Sequence, residues 1–320
     1  MNEILYLECA SGISGDMFAA ALLDLGADQD ILEEALASLP VSGAQIRITR
    51  VKKNGLDACD FDVVLDDEHE NHDHDMQYLY GQDAVRQEAA EQKASEKNTE
   101  GHYSGEKVHE HRGLREILQI LRSGRLSEGA LSLTEKIFRI LAEAEAQAHG
   151  VTPEQVHFHE VGAVDSILDI AAAAVCMDNL GIKQVIIPQL CEGRGTVRCR
   201  HGVLPVPVPA VVNIASAYGL PLHIVEENGE FVTPTGAAIA AAIMTGKKLP
   251  ERFTVKKAGM GAGKRISQRP GILRAFLIET EEYANRDKIC KLESNIDDCS
   301  GENLGFVMER LLEAGAKDVH

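Results

Sequence analysis

The stretch HFHEVGAVDSILDI, which begins at His157, holds the densest group of metal-binding side chains in the sequence. If the chain is extended around His157 and His159, both imidazoles point to the same side. If a helix begins near Asp165, then Asp165 and Asp169 share one helix face, one turn apart. With Glu160, two imidazoles and up to three carboxylates meet at a strand-to-helix junction. Such a mixture suits a divalent transition ion better than calcium.

A structural role is the alternative for these residues. Asp165 can cap the helix by accepting a hydrogen bond from the amide of Ile167 or Leu168, and His157 can be an ordinary, partly buried histidine. Either role is common for a single residue. Four such groups within one short turn favour a ligand or catalytic role instead.

The glycine turn SGISGD, between a predicted strand and a predicted helix, is a candidate ligand site. Gly12 and Gly15 allow backbone amides to turn toward a ligand, and the N-terminus of a helix favours an anion. Ser14 can donate a hydrogen bond, and Asp16 can hold a cation. A simple tight turn is the alternative.

A second helix start, TPTGAA, presents Thr233, Thr235 and Gly236 as candidate phosphate ligands. Here the alternative is that Thr235 only caps the helix. The later GMGAGKR does not fit the phosphate-loop pattern, because Ala258 replaces the required glycine and Arg265 follows the lysine. We predict a glycine-rich turn between two strands there.

Two histidine clusters lie in the acidic stretch 66–112, which carries 13 acidic and 5 basic residues and six of the twelve histidines. The stretch has few apolar residues and predicts a disordered acidic loop. Histidines on such a loop capture nickel or zinc without a fixed geometry; a solvated tail that keeps the protein soluble is the alternative. The candidate ligands are His69, His72, His74, His109 and His111.

The composition of the chain limits the classes of binding partner and the cellular location that we expect. A net charge of −18 over 320 residues disfavours nucleic acid and anionic membranes through Coulomb repulsion, although a small anion can still bind locally. The seven cysteines are scattered without a CxxC motif, and the N-terminus has no basic region before its short apolar run. We therefore expect a cytoplasmic protein without a membrane segment. A homo-oligomer is a separate expectation that the composition does not test.

Hydrophobic periodicity predicts an α+β fold with mixed sheets and packed helices. A strand is expected over Glu3–Glu8 and a helix over Met17–Leu25. Gln45–Lys52 and Ala58–Leu65 flank the turn KNG as a hairpin, and Ser166–Asn179 forms an alanine-rich helix.

Changes in composition divide the chain into four regions. Residues 1–65 form an N-terminal α+β segment, 66–112 the acidic loop, 113–280 the continuation of the N-terminal domain, and 281–320 a linker with an incomplete C-terminal domain. One strand and one helix cannot bury a core, so this last region looks cut short, or is completed by a separate C-terminal polypeptide.

Six motifs together resemble one family. LECASGISGDM, FHEVGAVDSILDI, HGVLPVPVPA, VTPTGAA, GMGAGKR and ESNIDDCSGE occur in the order that they take in the LarC family, the nickel-insertion proteins of the lactate racemase cofactor pathway. The resemblance covers nearly the whole chain apart from the acidic loop. A histidine-rich insertion at that place is also common in the family.

The resemblance implies insertion of nickel into a pyridinium bisthiocarboxylate mononucleotide, giving a nickel-pincer nucleotide with one nickel–carbon and two nickel–sulfur bonds. It also implies consumption of CTP with Mn²⁺ or Mg²⁺, in a ferredoxin-like α+β C-terminal domain of which this chain holds the beginning. The resemblance makes Asp297, Asp298 and Glu302 candidate cation ligands there. Forming the nickel–carbon bond removes a ring proton, for which Glu160 or Asp165 is the candidate base.

Three hypotheses follow from the sequence. The first is an enzyme that inserts nickel into an organic nucleotide. The second is a non-enzymatic nickel store or chaperone built around the histidine clusters. The third is a metal-dependent nucleotide hydrolase that uses the residues around His157.

Overall fold

The computed structural model describes residues 3–66, 79, 112–158, 164–199, 201–265, 269–280 and 291–319, with only the backbone for His157. The chain divides into two compact units, Met1–Glu281 and Glu282–His320. Most of the predicted acidic loop 66–112 lies outside the described residues. Leu79, within that stretch, is buried in the core of the first unit, so at least this apolar side chain of the stretch packs against the fold.

A six-stranded mixed sheet forms the centre of the first unit, in the order β2-β3-β11-β12-β1-β6. β1 pairs antiparallel with β12 and parallel with β6, while β3 pairs antiparallel with β2 and parallel with β11. The prediction of mixed sheets with packed helices is confirmed. The strands are β1 Ile4–Glu8, β2 Ala44–Lys53, β3 Leu56–Leu65, β6 Gln184–Ile186, β11 Thr254–Ala262 and β12 Ile272–Glu279.

Three two-stranded ribbons complete the strands of the described part. They are β4 Arg112–Gly113 with β5 His157–Phe158, β7 Leu190–Arg194 with β10 Leu222–Asn228, and β8 Thr196–Cys199 with β9 Gly202–Pro205.

The predicted hairpin at KNG is present, with strands β2 and β3 joined by two residues. Asn54 and Gly55 both have positive φ, 49° and 84°. This conformation favours Asn-Gly because asparagine tolerates it and glycine adopts it without strain. The local turn chemistry therefore fixes the register of ten residue pairs.

Seven helices are described in the first unit: α1 Gly15–Leu25, α2 Gln29–Ala37, α3 Leu114–Ser123, α4 Glu128–His149, α5 Val164–Asn179, α6 Pro209–Tyr218 and α7 Pro234–Ile243. Because the sequence contains no tryptophan, aliphatic side chains, with Phe18, Phe61 and Phe138, fill the core between the helices and the sheet. The alanines of α5 and α7 are buried, which permits close helix packing.

The glycine-rich turn predicted at GMGAG is wrong, because these residues continue strand β11 to Ala262. A Cβ at Gly259 would lie 2.2 Å from the carbonyl oxygen of Ala21, and one at Gly261 would lie 1.9 Å from that of Met17. The glycines therefore allow helix α1 to pack directly onto the backbone of the strand.

The second unit contains α8, Gly301–Glu313, in its described residues. Residues 291–300 form neither helix nor strand, so the described part of the strand predicted before α8 is absent. None of the helices in the described ranges is long and apolar enough to cross a membrane.

Candidate functional site

A cavity of about 1120 Å³ opens in the first unit where helices α1, α5 and α7 begin. The β8–β9 hairpin, the C-terminal end of α4 and the segment between β11 and β12 also contribute to its lining. Of the residues predicted to bind a ligand or to catalyse, Ser14, Gly15, Asp16, Asp165, Asp169, Thr233 and Thr235 line this cavity.

Three carboxylates line one part of the cavity: Asp16 in the first turn of α1, and Asp165 and Asp169 one turn apart on α5. We call them the carboxylate group. Gly15 allows helices α1 and α5 to approach closely, because a Cβ at this position would lie only 2.9 Å from the Cβ of Asp169. Ser14 Oγ donates a hydrogen bond to Asp16 Oδ1. Two motifs about 150 residues apart in the sequence thus meet at one site.

Asp169 is the member of this group with the most perturbed protonation. Its removal from water raises the pKa of the carboxyl well above its usual range, and the negative charges of Asp16 and Asp165 raise it further. Lys264 acts in the opposite direction. A proton on Asp169 thus relieves the repulsion among the three carboxylates.

The alternative role of Asp165 as a helix cap does not hold. Helix α5 begins at Val164, so Asp165 lies inside the first turn. At TPTGAA, Thr235 was the alternative candidate for the helix cap, but the cap is Thr233, two residues earlier. Its Oγ1 accepts a hydrogen bond from the N–H of Gly236 at 3.1 Å, while Thr235 lies inside α7 and lines the cavity.

Gly12 and Gly236 do not line the cavity, contrary to the prediction that their backbones face a ligand. The N–H of Gly12 donates to the carbonyl of Cys9 at 3.1 Å. A Cβ at Gly12 would lie 1.9 Å from the oxygen of Phe231, and one at Gly236 would lie 2.0 Å from that of Ile13. Both glycines therefore allow the two turns to pack against each other.

Glu192, on strand β7, is fully buried and fixes the turn at Phe231 and Val232, on which Gly12 packs. Its Oε1 accepts hydrogen bonds from the N–H groups of Gly193, Phe231 and Val232 at 2.8, 2.7 and 3.3 Å, and its Oε2 has no hydrogen-bond partner. Burial raises the pKa of its carboxyl to about 7, although the three N–H donors lower it. Glu192 was not among the predicted site residues; the available signal was an acidic residue directly after the apolar Leu190 and Cys191.

Five cationic side chains also line the cavity, and we call them the basic group: Arg194, Arg198, Lys264, Arg265 and Arg269. Three of them are held by acidic residues. Lys264 pairs with Asp60 and with Asp62, Arg265 pairs with Glu230, and Arg269 pairs with Glu227 at 2.8 Å.

Five cations line the same cavity as seven carboxylates, so both charges are gathered there in a chain of net charge −18. None of the five cations was among the predicted site residues. The basic residues that follow GMGAG in the sequence were the signal that could have indicated an anion site.

A further set of lining residues consists of Glu145, His149 and His201. The two imidazole rings lie 4.9 Å apart between centroids, and Glu145 Oε2 lies 3.6 Å from His149 Nε2. Within the residues that the structure describes, no group of three or more His, Cys, Asp or Glu side chains is arranged to hold a metal ion.

Several predicted ligands lie outside the described residues. They are His69, His72, His74, His109, His111, His159 and Glu160, together with the side chain of His157. The backbone of His157 is extended in β5, as predicted, and pairs with Gly113. In the second unit, Asp297 and Asp298 are exposed.

Comparison with known proteins identifies the relatives of this chain. A family model described as "Nickel insertion protein" matches residues 5–320. Three similar proteins, from Alkaliphilus metalliredigens, Clostridium acetobutylicum and Acetivibrio thermocellus, are each named pyridinium-3,5-bisthiocarboxylic acid mononucleotide nickel insertion protein. The Alkaliphilus metalliredigens protein is 50% identical over 100% of this chain and 74% of its own length. The Clostridium acetobutylicum protein is 40% identical over 99% of this chain and 74% of its own length. The Acetivibrio thermocellus protein is 37% identical over 99% of this chain and 70% of its own length. No solved structure matches the chain.

Proposed function

Because the chain belongs to the nickel insertion protein family, we propose that it inserts nickel into pyridinium-3,5-bisthiocarboxylic acid mononucleotide. The observation that carries this proposal is the meeting of a carboxylate group and a basic group in one cavity. The reaction needs both, because its two substrates, a divalent cation and an anionic nucleotide, must be brought into contact.

The basic group supports binding of the nucleotide. The phosphate and the two thiocarboxylates of the precursor are anionic, and guanidinium groups bind such planar or tetrahedral anions through paired hydrogen bonds. The ion pairs of Arg265 and Arg269 hold the guanidinium groups in place. A cavity of about 1120 Å³ has room for a mononucleotide.

The carboxylate group supports the chemistry at the metal. Asp169 supplies an oxygen ligand for Ni²⁺, and we propose that His157 and His159 supply nitrogen ligands, as their spacing from Asp169 in the sequence predicts. Two nickel–sulfur bonds form from the thiocarboxylate sulfurs. The nickel–carbon bond replaces the ring C–H bond. The proton passes to a base, the electron pair of the C–H bond forms the nickel–carbon bond, and the oxidation state of nickel does not change.

Asp165 is the proposed base among the described residues, with Glu160 as the second candidate. Asp165 lines the cavity one helical turn from Asp169, so the proposed base and the proposed oxygen ligand lie on the same side of helix α5. A desolvated site lowers the barrier further by removing water that competes for both the metal and the base.

CTP use with Mn²⁺ or Mg²⁺ stays a prediction from the family resemblance. Asp297 and Asp298 are exposed, and in the described part of the second unit they form no group arranged around a cation. A separate C-terminal polypeptide and a homo-oligomer also remain predictions, which size-exclusion chromatography with light scattering tests directly.

Mass spectrometry of the nucleotide decides between insertion and its alternatives. The purified chain is incubated with the precursor, Ni²⁺ and CTP, and each component is omitted in turn, with the Alkaliphilus metalliredigens relative as a positive control. We expect the metallated nucleotide. A nickel store yields none, and a nucleotide hydrolase releases pyrophosphate from CTP without nickel or precursor.

A further inference from the structure

The pair His149 and His201 lies on the cavity and has no role in the chemistry proposed above. His149 is the last residue of helix α4, and Gly150 ends the helix in a left-handed conformation. His201 lies in the turn of the β8–β9 hairpin, within the HGVLPVPVPA motif that the sequence analysis left without a function. Two elements far apart in the sequence thus place two exposed imidazoles together.

The separation of the two rings matches that of two ligands to one ion. With a metal–nitrogen bond of about 2.1 Å, a ring centroid lies about 3.3 Å from the metal, so two imidazoles at an angle of about 90–110° have centroids about 4.6–5.4 Å apart. The observed distance is 4.9 Å, with an angle of 53° between the ring planes. Ring packing alone also permits this distance, and the experiment below separates the two explanations.

The surroundings of the pair favour metal binding over protonation. Partial burial lowers the pKa of His201, and the neighbouring His149 lowers it further, so the neutral imidazole that binds metals is favoured. Glu145 is largely buried and lies 3.6 Å from one nitrogen of His149. A separation of 3.6 Å is longer than a hydrogen bond, and burial raises the pKa of the Glu145 carboxyl, so Glu145 places an oxygen near the pair without fixing the ring.

We propose that His149 and His201 form a transient two-imidazole binding site for Ni²⁺ at the cavity, which the ion occupies before its transfer to the nucleotide. The proposal rests on the proposed function, which supplies nickel as the ion. In the part of the chain that the structure describes, no three such side chains surround a single point. Two protein ligands leave the other coordination positions to exchangeable water, so the ion can leave for the sulfur atoms of the substrate.

Nickel binding to full-length variants tests this site. The starting variant carries alanine at His69, His72, His74, His109 and His111, and also at His157 and His159. These changes remove the histidine clusters and the proposed nitrogen ligands of the reaction site as competing ligands. Equilibrium dialysis against Ni²⁺, in the absence of nucleotide, measures the dissociation constant. We expect His149→Ala and His201→Ala each to weaken binding by about tenfold or more. His223→Ala, an exposed histidine of β10 outside the cavity lining, is the matched control and leaves binding unchanged.

X-ray absorption at the nickel edge provides the second measurement. We expect scattering from two imidazoles in the starting variant and from one imidazole after either substitution. If circular dichroism shows that the alanine variants do not fold, His149→Gln and His201→Gln replace them. Nickel that binds equally well without either histidine, or that depends on Asp169 alone, overturns the proposal. If instead the proposed function is wrong, the protein forms no metallated nucleotide, but nickel still binds the histidine pair. The two failures are therefore distinguishable.

Discussion

Replacing Glu192 by glutamine removes a pH-dependent contribution to stability that follows from its burial. The pKa of this carboxyl rises from 4.5 to about 7 in the folded chain. One pKa unit corresponds to about 1.4 kcal/mol, so the whole rise corresponds to about 3 kcal/mol. A raised pKa means that the folded state binds the proton more tightly. The contribution is therefore complete below pH 4.5 and is lost as the pH rises through 7.

Urea unfolding followed by circular dichroism measures this contribution. Between pH 5 and pH 8 we expect the unfolding free energy of the wild type to fall by about 2.5 kcal/mol relative to that of Glu192→Gln. The glutamine side chain retains an acceptor for the three backbone N–H groups. Its amide N–H₂ replaces the unpartnered Oε2 and costs about 1–3 kcal/mol at every pH, so the slope with pH carries the test.

The exposed Glu251 provides the control, since Glu251→Gln removes the same charge without a buried environment. Its unfolding free energy should follow that of the wild type at each pH. A difference between wild type and Glu192→Gln that stays constant within 1 kcal/mol from pH 5 to pH 8 refutes the reasoning.

Three further predictions concern packing, capping and binding. Gly261→Ala places a Cβ 1.9 Å from a backbone oxygen of α1 and should lower stability by at least about 1–3 kcal/mol in urea unfolding, whereas Gly301→Ala, with open space around it, should not. Thr233→Ala removes the cap of α7 and should lower stability by about 1 kcal/mol in the same assay; an unchanged midpoint contradicts the capping role. Arg194→Met should raise the KM for the precursor about tenfold without affecting stability; an unchanged KM excludes Arg194 from the nucleotide site.

Local features of the fold could be predicted because their causes lie within a few neighbouring residues. The β2–β3 hairpin follows from Asn54-Gly55, and the end of α4 from Gly150. The face shared by Asp165 and Asp169 follows from helical periodicity alone. In each case the physical reason is a backbone preference or a repeat that the sequence shows directly.

Features that depend on contacts between distant segments could not be predicted. Gly259 and Gly261 resemble a turn in isolation, and only the approach of α1 shows why a strand needs them. Gly12 likewise serves the packing of a turn that lies more than 200 residues away, at Phe231. The meeting of Asp16 with Asp169 depends on how α1 and α5 pack, which no spacing in the sequence reveals.

Single-turnover formation of the metallated nucleotide by Asp165→Asn and Asp169→Asn tests the central claim, that nickel and the nucleotide react at the carboxylate group. Asp30→Asn, an exposed aspartate of α2, is the matched control. Limiting precursor is mixed with saturating Ni²⁺, CTP and a saturating excess of protein, and the product is followed by mass spectrometry. We expect the rate to fall by about a hundredfold or more in each of the first two variants and to be unchanged in the control. Rates within a factor of two of the wild type in both cavity variants would contradict the account.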